Sequence, residues 1–165
     1  MPVCRSGARE WKGPRVKITT KVRYGLRALL QIAVSYDGKP VPLSSIAESQ
    51  EISRKYLEQL VAALRKADLV GSRKGVHGGY YLISEPKDIS LWDVFLTLEG
   101  QTPLVECVPN PDSCERSAFC TTRSIWELLD MKLKEFWEGF TLQDLMDRLP
   151  EIERSLDESR KAPQV

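Results

Sequence analysis

Apolar residues recur at intervals of three and four along several stretches of the chain, a spacing that gathers them on one face of an α-helix. Val22, Leu26, Leu29, Leu30 and Ala33 follow it between Ile18 and Val34, with Thr19 or Thr20 placed to cap the start. The turn formers Asp37-Gly38-Lys39-Pro40 end that helix. A short helix carrying Leu43, Ile46 and Ala47 comes next, and Ser45 with Glu48 matches the reciprocal cap in which each side chain bonds the other's backbone N–H. It stops by Gln50. Ser53 then caps a helix reaching Ala67, whose Leu57, Leu60, Val61 and Leu64 share one face. Two short helices joined by a tight turn make a helix-turn-helix.

The pattern then changes. Leu69 to Ser72 and Tyr80 to Ile83 have strand composition, and the glycine-rich, basic segment Arg73-Lys74-Gly75-Val76-His77-Gly78-Gly79 between them predicts a hairpin. After Pro86, Ser90 and Asp93 open a helix with Leu91, Val94, Phe95 and Leu98 that ends at Gly100. Residues 101–121 read as a long polar loop without structure of its own, a kind of loop that is usually functional. From Thr122 a long helix carries Ile125, Leu129, Leu133, Phe136, Trp137 and Phe140 on one stripe. A last helical piece over Thr141 to Leu149 has its own Thr-x-x-Asp cap. Residues 1–15 have no apolar periodicity and are expected to form a disordered tail, and the abrupt onset of pattern at Val16 suits a translation start there.

The predicted fold is therefore mainly α with a small β-hairpin wing. Residues 16–88 form a winged helix-turn-helix domain, 89–100 a connecting helix and 101–121 a cysteine-containing loop. Residues 122–149 supply a dimerisation helix and a C-terminal helix, and 150–165 a flexible tail. No stretch has the ~20 apolar residues of a membrane helix, and no apolar segment follows the basic N-terminal residues, so a cytoplasmic protein is expected.

Charge sharpens the picture. Residues 1–77 hold fifteen Lys and Arg against six Asp and Glu, a net +9, whereas residues 78–165 hold nine against seventeen, a net −8. An N-terminal half this basic meets an anion or carries a solvated basic face, and nucleic acid is the leading partner. On the helix after Ser53, residues Lys55, Gln59, Ala62 and Lys66 lie opposite the leucine face. Glutamine pairs with adenine, lysine and arginine reach guanine or phosphate, and alanine leaves room for approach, which suits a major groove. Ser53, Arg54, Lys55 and Tyr56 lie where a recognition helix enters the groove. Arg73, Lys74 and His77 on the wing, and Thr19, Thr20 and Arg23 at the start of the first helix, complete the candidate double-stranded DNA contacts. A phosphate cradle at the glycines is excluded by context, since no helix start and no Gly-Lys-Ser/Thr follow.

Cys107, Cys114 and Cys120 share the polar loop with Pro109, Pro111 and Asp112, whereas structural cysteines sit on apolar faces. Their C-x6-C-x5-C spacing lacks the paired knuckles of zinc sites, so a soft metal, zinc, a thiol switch or a loop without chemistry all stand as readings. His77 is the only histidine, and no triad, carboxylate pair or Walker loop is present, which argues against an enzyme. Trp92, Trp126 and Trp137 fall on apolar stripes and are assigned to core or partner contacts.

The segments Ile18-Thr-Thr-Lys-Val-Arg-Tyr-Gly-Leu-Arg-Ala-Leu, Tyr56-Leu-Glu-Gln-Leu-Val-Ala-Ala-Leu-Arg-Lys-Ala, Gly78-Gly-Tyr and Leu98-Glu-Gly closely resemble the Rrf2 family of bacterial transcription regulators, over about residues 16–145. The resemblance implies a homodimer in which the long helix crosses its partner, recognition residues at Tyr56 and Gln59, a wing arginine at Arg73, and tuning of the operator by Glu58. It also implies an iron-sulfur cluster, 2Fe-2S or 4Fe-4S, on Cys107, Cys114 and Cys120, in a protein acting as repressor or activator. In cluster-supply sensors of the family a histidine follows three residues after the last cysteine, where this chain has Arg123. Another branch recruits a carboxylate from the partner's first helix, at the place of Arg23. The fourth ligand is thus open among Glu106, Asp112, Glu115, Cys4, a hydroxide or a small thiol.

Overall fold

The computed structural model describes residues 18–35, 39–100, 103–148 and 150. The expected tail over 1–15, the Asp37-Gly38 turn and nearly all of the expected C-terminal tail lie outside the described residues. Helix α1, Thr20–Val34, starts at Thr19, whose hydroxyl accepts the Val22 N–H, and buries Val22, Ala28, Leu29, Ile32 and Ala33. Helix α2, Leu43–Gln50, ends with Glu51 in the left-handed region at φ 54°. Helix α3, Arg54–Lys66, is capped by Ser53, which accepts from the Tyr56 N–H, and it buries the leucine face anticipated from the spacing.

The cap expected at Ser45 does not form. Helix α2 begins three residues earlier, with Pro42 at the cap position and no side-chain cap. Backbone pairing explains the early start: Val41 donates to the Tyr80 carbonyl at 2.7 Å and accepts the Tyr80 N–H at 2.9 Å. Pro42 then follows at φ −63°, already preset for helix entry, and Ser45 is left inside the helix.

Strands β1, Val70–Arg73, and β2, Gly79–Leu82, form an antiparallel hairpin in which Val70 faces Leu82 and Arg73 faces Gly79. Only Gly75 of the three wing glycines takes a positive φ, 112°. Gly78 and Gly79 are required by space instead. A Cβ on Gly78 would stand 2.4 Å from the Arg73 carbonyl oxygen, and one on Gly79 would stand 2.4 Å from that of Val41.

Helix α4, Leu91–Glu99, is capped by Ser90 and closes at Gly100, φ 82°. It packs tightly on α1, where a Cβ on Gly25 would stand 2.3 Å from Leu98 Cδ1. The loop beyond is less bare than its composition predicts. It contains two 3-10 turns, Pro111–Ser113 and Ser117–Phe119, held by local backbone bonds such as Cys114 N–H to the Pro111 carbonyl and Phe119 N–H to that of Arg116, with the Ser117 hydroxyl donating to the Pro111 carbonyl at 2.6 Å. Helix α5, Arg123–Glu138, runs back along α4, joined to it by stacked Trp92, Phe95 and Trp137 with centroids 5.6 Å and 5.4 Å apart.

Helix α6, residues 142–148, returns the chain to the core. Thr141 and Asp144 form the expected reciprocal cap, each backbone N–H bonded to the other's side chain. The Thr141 N–H and hydroxyl hold the Asp144 carboxyl below its ordinary value. Leu142 is fully buried and its N–H reaches the Ile89 carbonyl at 2.9 Å. The core is thus one apolar cluster drawn from α1, α2, α3, the wing, α4 and α6, while no residue of α5 is buried.

The Gly79→Ala substitution is expected to lower unfolding free energy by about 1–3 kcal/mol in urea denaturation, because rigid backbone lies where the methyl must go. Gly71→Ala, whose Cβ would meet only the end of the Tyr81 ring, is expected to cost less. Equal costs would sink the explanation.

Candidate nucleic-acid interface and cysteine loop

Burial of Leu57, Leu60, Val61 and Leu64 turns the opposite face of α3 to solvent, and Lys55, Gln59, Ala62 and Lys66 are all exposed there. Ser53 and Arg54 are also exposed, and Arg54 holds Glu58 at 3.2 Å across one helical turn. This exposed pair contributes little to stability but sets the direction of both side chains on the outer face. Arg73, Lys74, Val76 and His77 project from the wing, with Val76 97% exposed.

Among the α3 candidates Tyr56 is the least exposed. It is half-buried, and its ring meets Tyr24 of α1 edge-on at 6.2 Å. Tyr24 in turn carries the Arg23 and Arg27 guanidinium groups over its ring at 5.6 Å and 5.5 Å. Arg23 and Thr20 are exposed beside the recognition helix, whereas Thr19 is half-buried and donates its hydroxyl to the Glu99 carboxylate at the end of α4. Neither Tyr24 nor Arg27 stands out in the sequence. The trace they leave is Arg23, Tyr24 and Arg27 at i, i+1 and i+4, which sets each arginine within one helical turn of the tyrosine.

Cys107, Cys114 and Cys120 are free and half-buried. The Cys120 thiol is held below its ordinary pKa, chiefly by the Thr122 hydroxyl 3.2 Å from its sulfur and next by the Arg123 backbone. Arg123 takes no ligand role. Its Nε donates to the Cys107 carbonyl at 2.9 Å, one terminal nitrogen donates to that of Val108 at 3.3 Å, and that nitrogen also pairs with Glu127 at 3.0 Å. The Leu104 N–H reaches Asp130 at 3.3 Å, so the first arm of the loop is fastened along α5 at two places.

Among the described residues, no three of His, Cys, Asp and Glu already stand in a metal-holding arrangement. The donor chemistry nevertheless fits three corners of a thiolate site: three soft sulfurs on one loop, none engaged in a disulfide. The fourth corner is not supplied at Arg123, which is a guanidinium donor already engaged with the loop carbonyls.

A helix-turn-helix whose second helix exposes a cationic and amide-bearing face beside a basic hairpin defines a winged-helix DNA-binding transcription regulator. Residues 18–148 match the Rrf2 family, described as an iron-dependent transcriptional regulator, and the chain belongs to that family. It is 44% identical over 131 residues to protein rrf2 of Nitratidesulfovibrio vulgaris, a match covering 79% of this chain and 87% of the relative. Among solved structures it is similar to T. potens IscR, with TM-score 0.67 and 35% identity over 91% of this chain and 94% of that one. It is likewise similar to CymR (YrzC), the global cysteine regulator of B. subtilis, with TM-score 0.66 and 39% identity over 79% and 96%. The regulator is not an enzyme, and no helix among the described residues is long and apolar enough to cross a membrane.

Proposed function

We propose that the protein is a homodimeric, operator-specific regulator whose DNA affinity is set by an iron-sulfur cluster on Cys107, Cys114 and Cys120. The observation that carries this reading is the set of three free, half-buried thiols on one loop fastened to α5 and leading directly from α4. When bound, such a cluster supplies a labile, redox-active group whose state changes the charge at the loop. The chain's own residues then transmit that change. Leu98 seats on Gly25, Glu99 receives the Thr19 hydroxyl, and Gly100 is the joint through which α4 passes into the loop. A shift at the loop therefore bears on the start of α1, beside the DNA face.

Dimerisation is supported by α5. Ile125, Trp126, Leu128, Leu129, Met131 and Phe136 are all exposed, an apolar surface that one chain leaves uncovered. A second copy laid across it would pair the two recognition helices on a two-fold axis. On the DNA, Gln59 reads a base edge, Ser53, Arg54, Lys55, Thr20 and Arg23 hold phosphates, and Arg73, Lys74 and His77 follow the neighbouring groove. Tyr56 and Thr19 serve by shaping the surface rather than by direct reading, since both side chains are engaged within the chain.

One observation favours a second reading, regulation through thiol oxidation without metal. The Cys120 thiol, held below its ordinary pKa, ionises more readily, and its thiolate attacks one oxygen of peroxide, breaking the O–O bond to give a sulfenic acid while the other oxygen leaves as water.

Protein purified without oxygen is expected to be coloured, to contain iron and sulfide, and to lose its absorption above 400 nm, typical of such clusters, to about a background level in Cys107→Ala. A colourless protein that resists reconstitution but loses operator affinity with peroxide would support the thiol reading instead. Leu129→Glu is expected to give monomers in analytical ultracentrifugation while leaving helical content intact; a dimer unmoved by it would place the interface elsewhere. Gln59→Ala is expected to cost about 1–3 kcal/mol in discrimination among operator variants, while Arg73→Ala weakens binding to all sequences and reduces the salt slope by about one. Unchanged discrimination in Gln59→Ala would refute the outward face of α3 as the reading surface.

A further inference from the structure

We infer that Arg27 is a positioning residue for DNA recognition, setting the helix-turn-helix angle without touching DNA; this rests on the α3 interface reading. The turn between α2 and α3 is under tension, because Glu51, which has a Cβ, occupies the left-handed region at φ 54° where glycine is favoured. Helix α2 also ends there with open carbonyls. Arg27 meets both needs from outside the motif. Its Nε donates to the Gln50 side-chain oxygen at 2.8 Å and one terminal nitrogen donates to the Gln50 backbone carbonyl at 2.8 Å, so its fork grips the last residue of α2. Gln50 is held on its other side as well, its amide nitrogen donating to Gln31 of α1 at 3.1 Å.

The same guanidinium lies over the Tyr24 ring, and that ring supports Tyr56 in the first turn of α3. One side chain of α1 therefore touches the end of α2 directly and the beginning of α3 through a single intervening ring. Two helix ends that meet at a strained turn are fixed relative to one another by it, and the exposed face of α3 inherits that angle. Lysine cannot reproduce this, since an ammonium has neither the planar fork nor the flat face that lies on a ring.

The test compares wild-type protein with Arg27→Ala, Arg27→Lys and Gln50→Ala. Affinities are measured for a duplex selected from random sequence by the wild-type protein and for a scrambled duplex, across a salt series, with thermal melting of each variant. Arg27→Ala and Arg27→Lys are both expected to lose about tenfold in preference for the selected duplex, as loss of charge-assisted bonds at a helix end would do. Gln50→Ala, which keeps the backbone bond, is expected to lose less. The salt slope and the affinity for scrambled DNA stay as in wild type, and melting remains cooperative. A salt slope lower by about one, with both duplexes weakened together, would make Arg27 a phosphate contact and overturn the assignment. So would full preference retained by Arg27→Lys or by Arg27→Ala. Should Arg27→Ala fail to fold, the lysine and Gln50 variants decide alone. A wild-type protein that selects no sequence would overturn the interface reading itself, a result separable from any effect of Arg27.

Discussion

The leucine stripe of α3, packed against α1 and α4, leaves one direction open to the residues between its members. Leu57, Val61 and Leu64 are fully buried and Leu60 nearly so, so α3 cannot rotate about its axis without dragging apolar surface into water. Each such side chain is worth roughly 1.5–3 kcal/mol of burial, and a rotation would forfeit several together. The outward direction of Gln59 and Lys55 is thus a by-product of packing. The elements around α3 serve the same end: Val41 pairs with the wing, α2 stops at a forced turn, and Ser53 caps the first turn of the recognition helix.

Most of this architecture was legible in the chain because its causes are local. Helices α1, α3 and α4 declare themselves by apolar spacing and by Thr19, Ser53 and Ser90 at their starts, and all three hydroxyls accept the expected backbone N–H. Misreadings arose where a distant partner decided the outcome. The Ser45 and Glu48 pair has the right spacing for a cap, yet the Val41 bridge to Tyr80 imposes an earlier start. The hairpin at Gly75 to Gly79 was legible too, but that the carbonyls of Arg73 and Val41 demand glycine at 78 and 79 was not.

The cysteine loop was legible as chemistry and not as geometry. Three thiols in a polar segment are evident from order along the chain, whereas the fastening of that segment to α5 depends on Arg123 and Asp130, residues whose partners lie sixteen and twenty-six positions away. Arg123 drew attention only as a departure from a ligand pattern. In the structure it is a clasp, donating to the carbonyls of Cys107 and Val108 while bonded to Glu127. Among the described residues the hairpin of loop and α5 contributes none to the buried core, so the stability of the fold does not depend on what the loop holds.

The excursion from Gly100 to Phe140 leaves the body at one end of α4 and rejoins it at the other, where Leu91 bonds Phe140 and Leu142 bonds Ile89. Both junctions belong to backbone that the core already holds in place. Among the described residues the excursion between them adds none to the core cluster, so changes within it act on the DNA-facing half through these two junctions and through the α5 face proposed to join two copies.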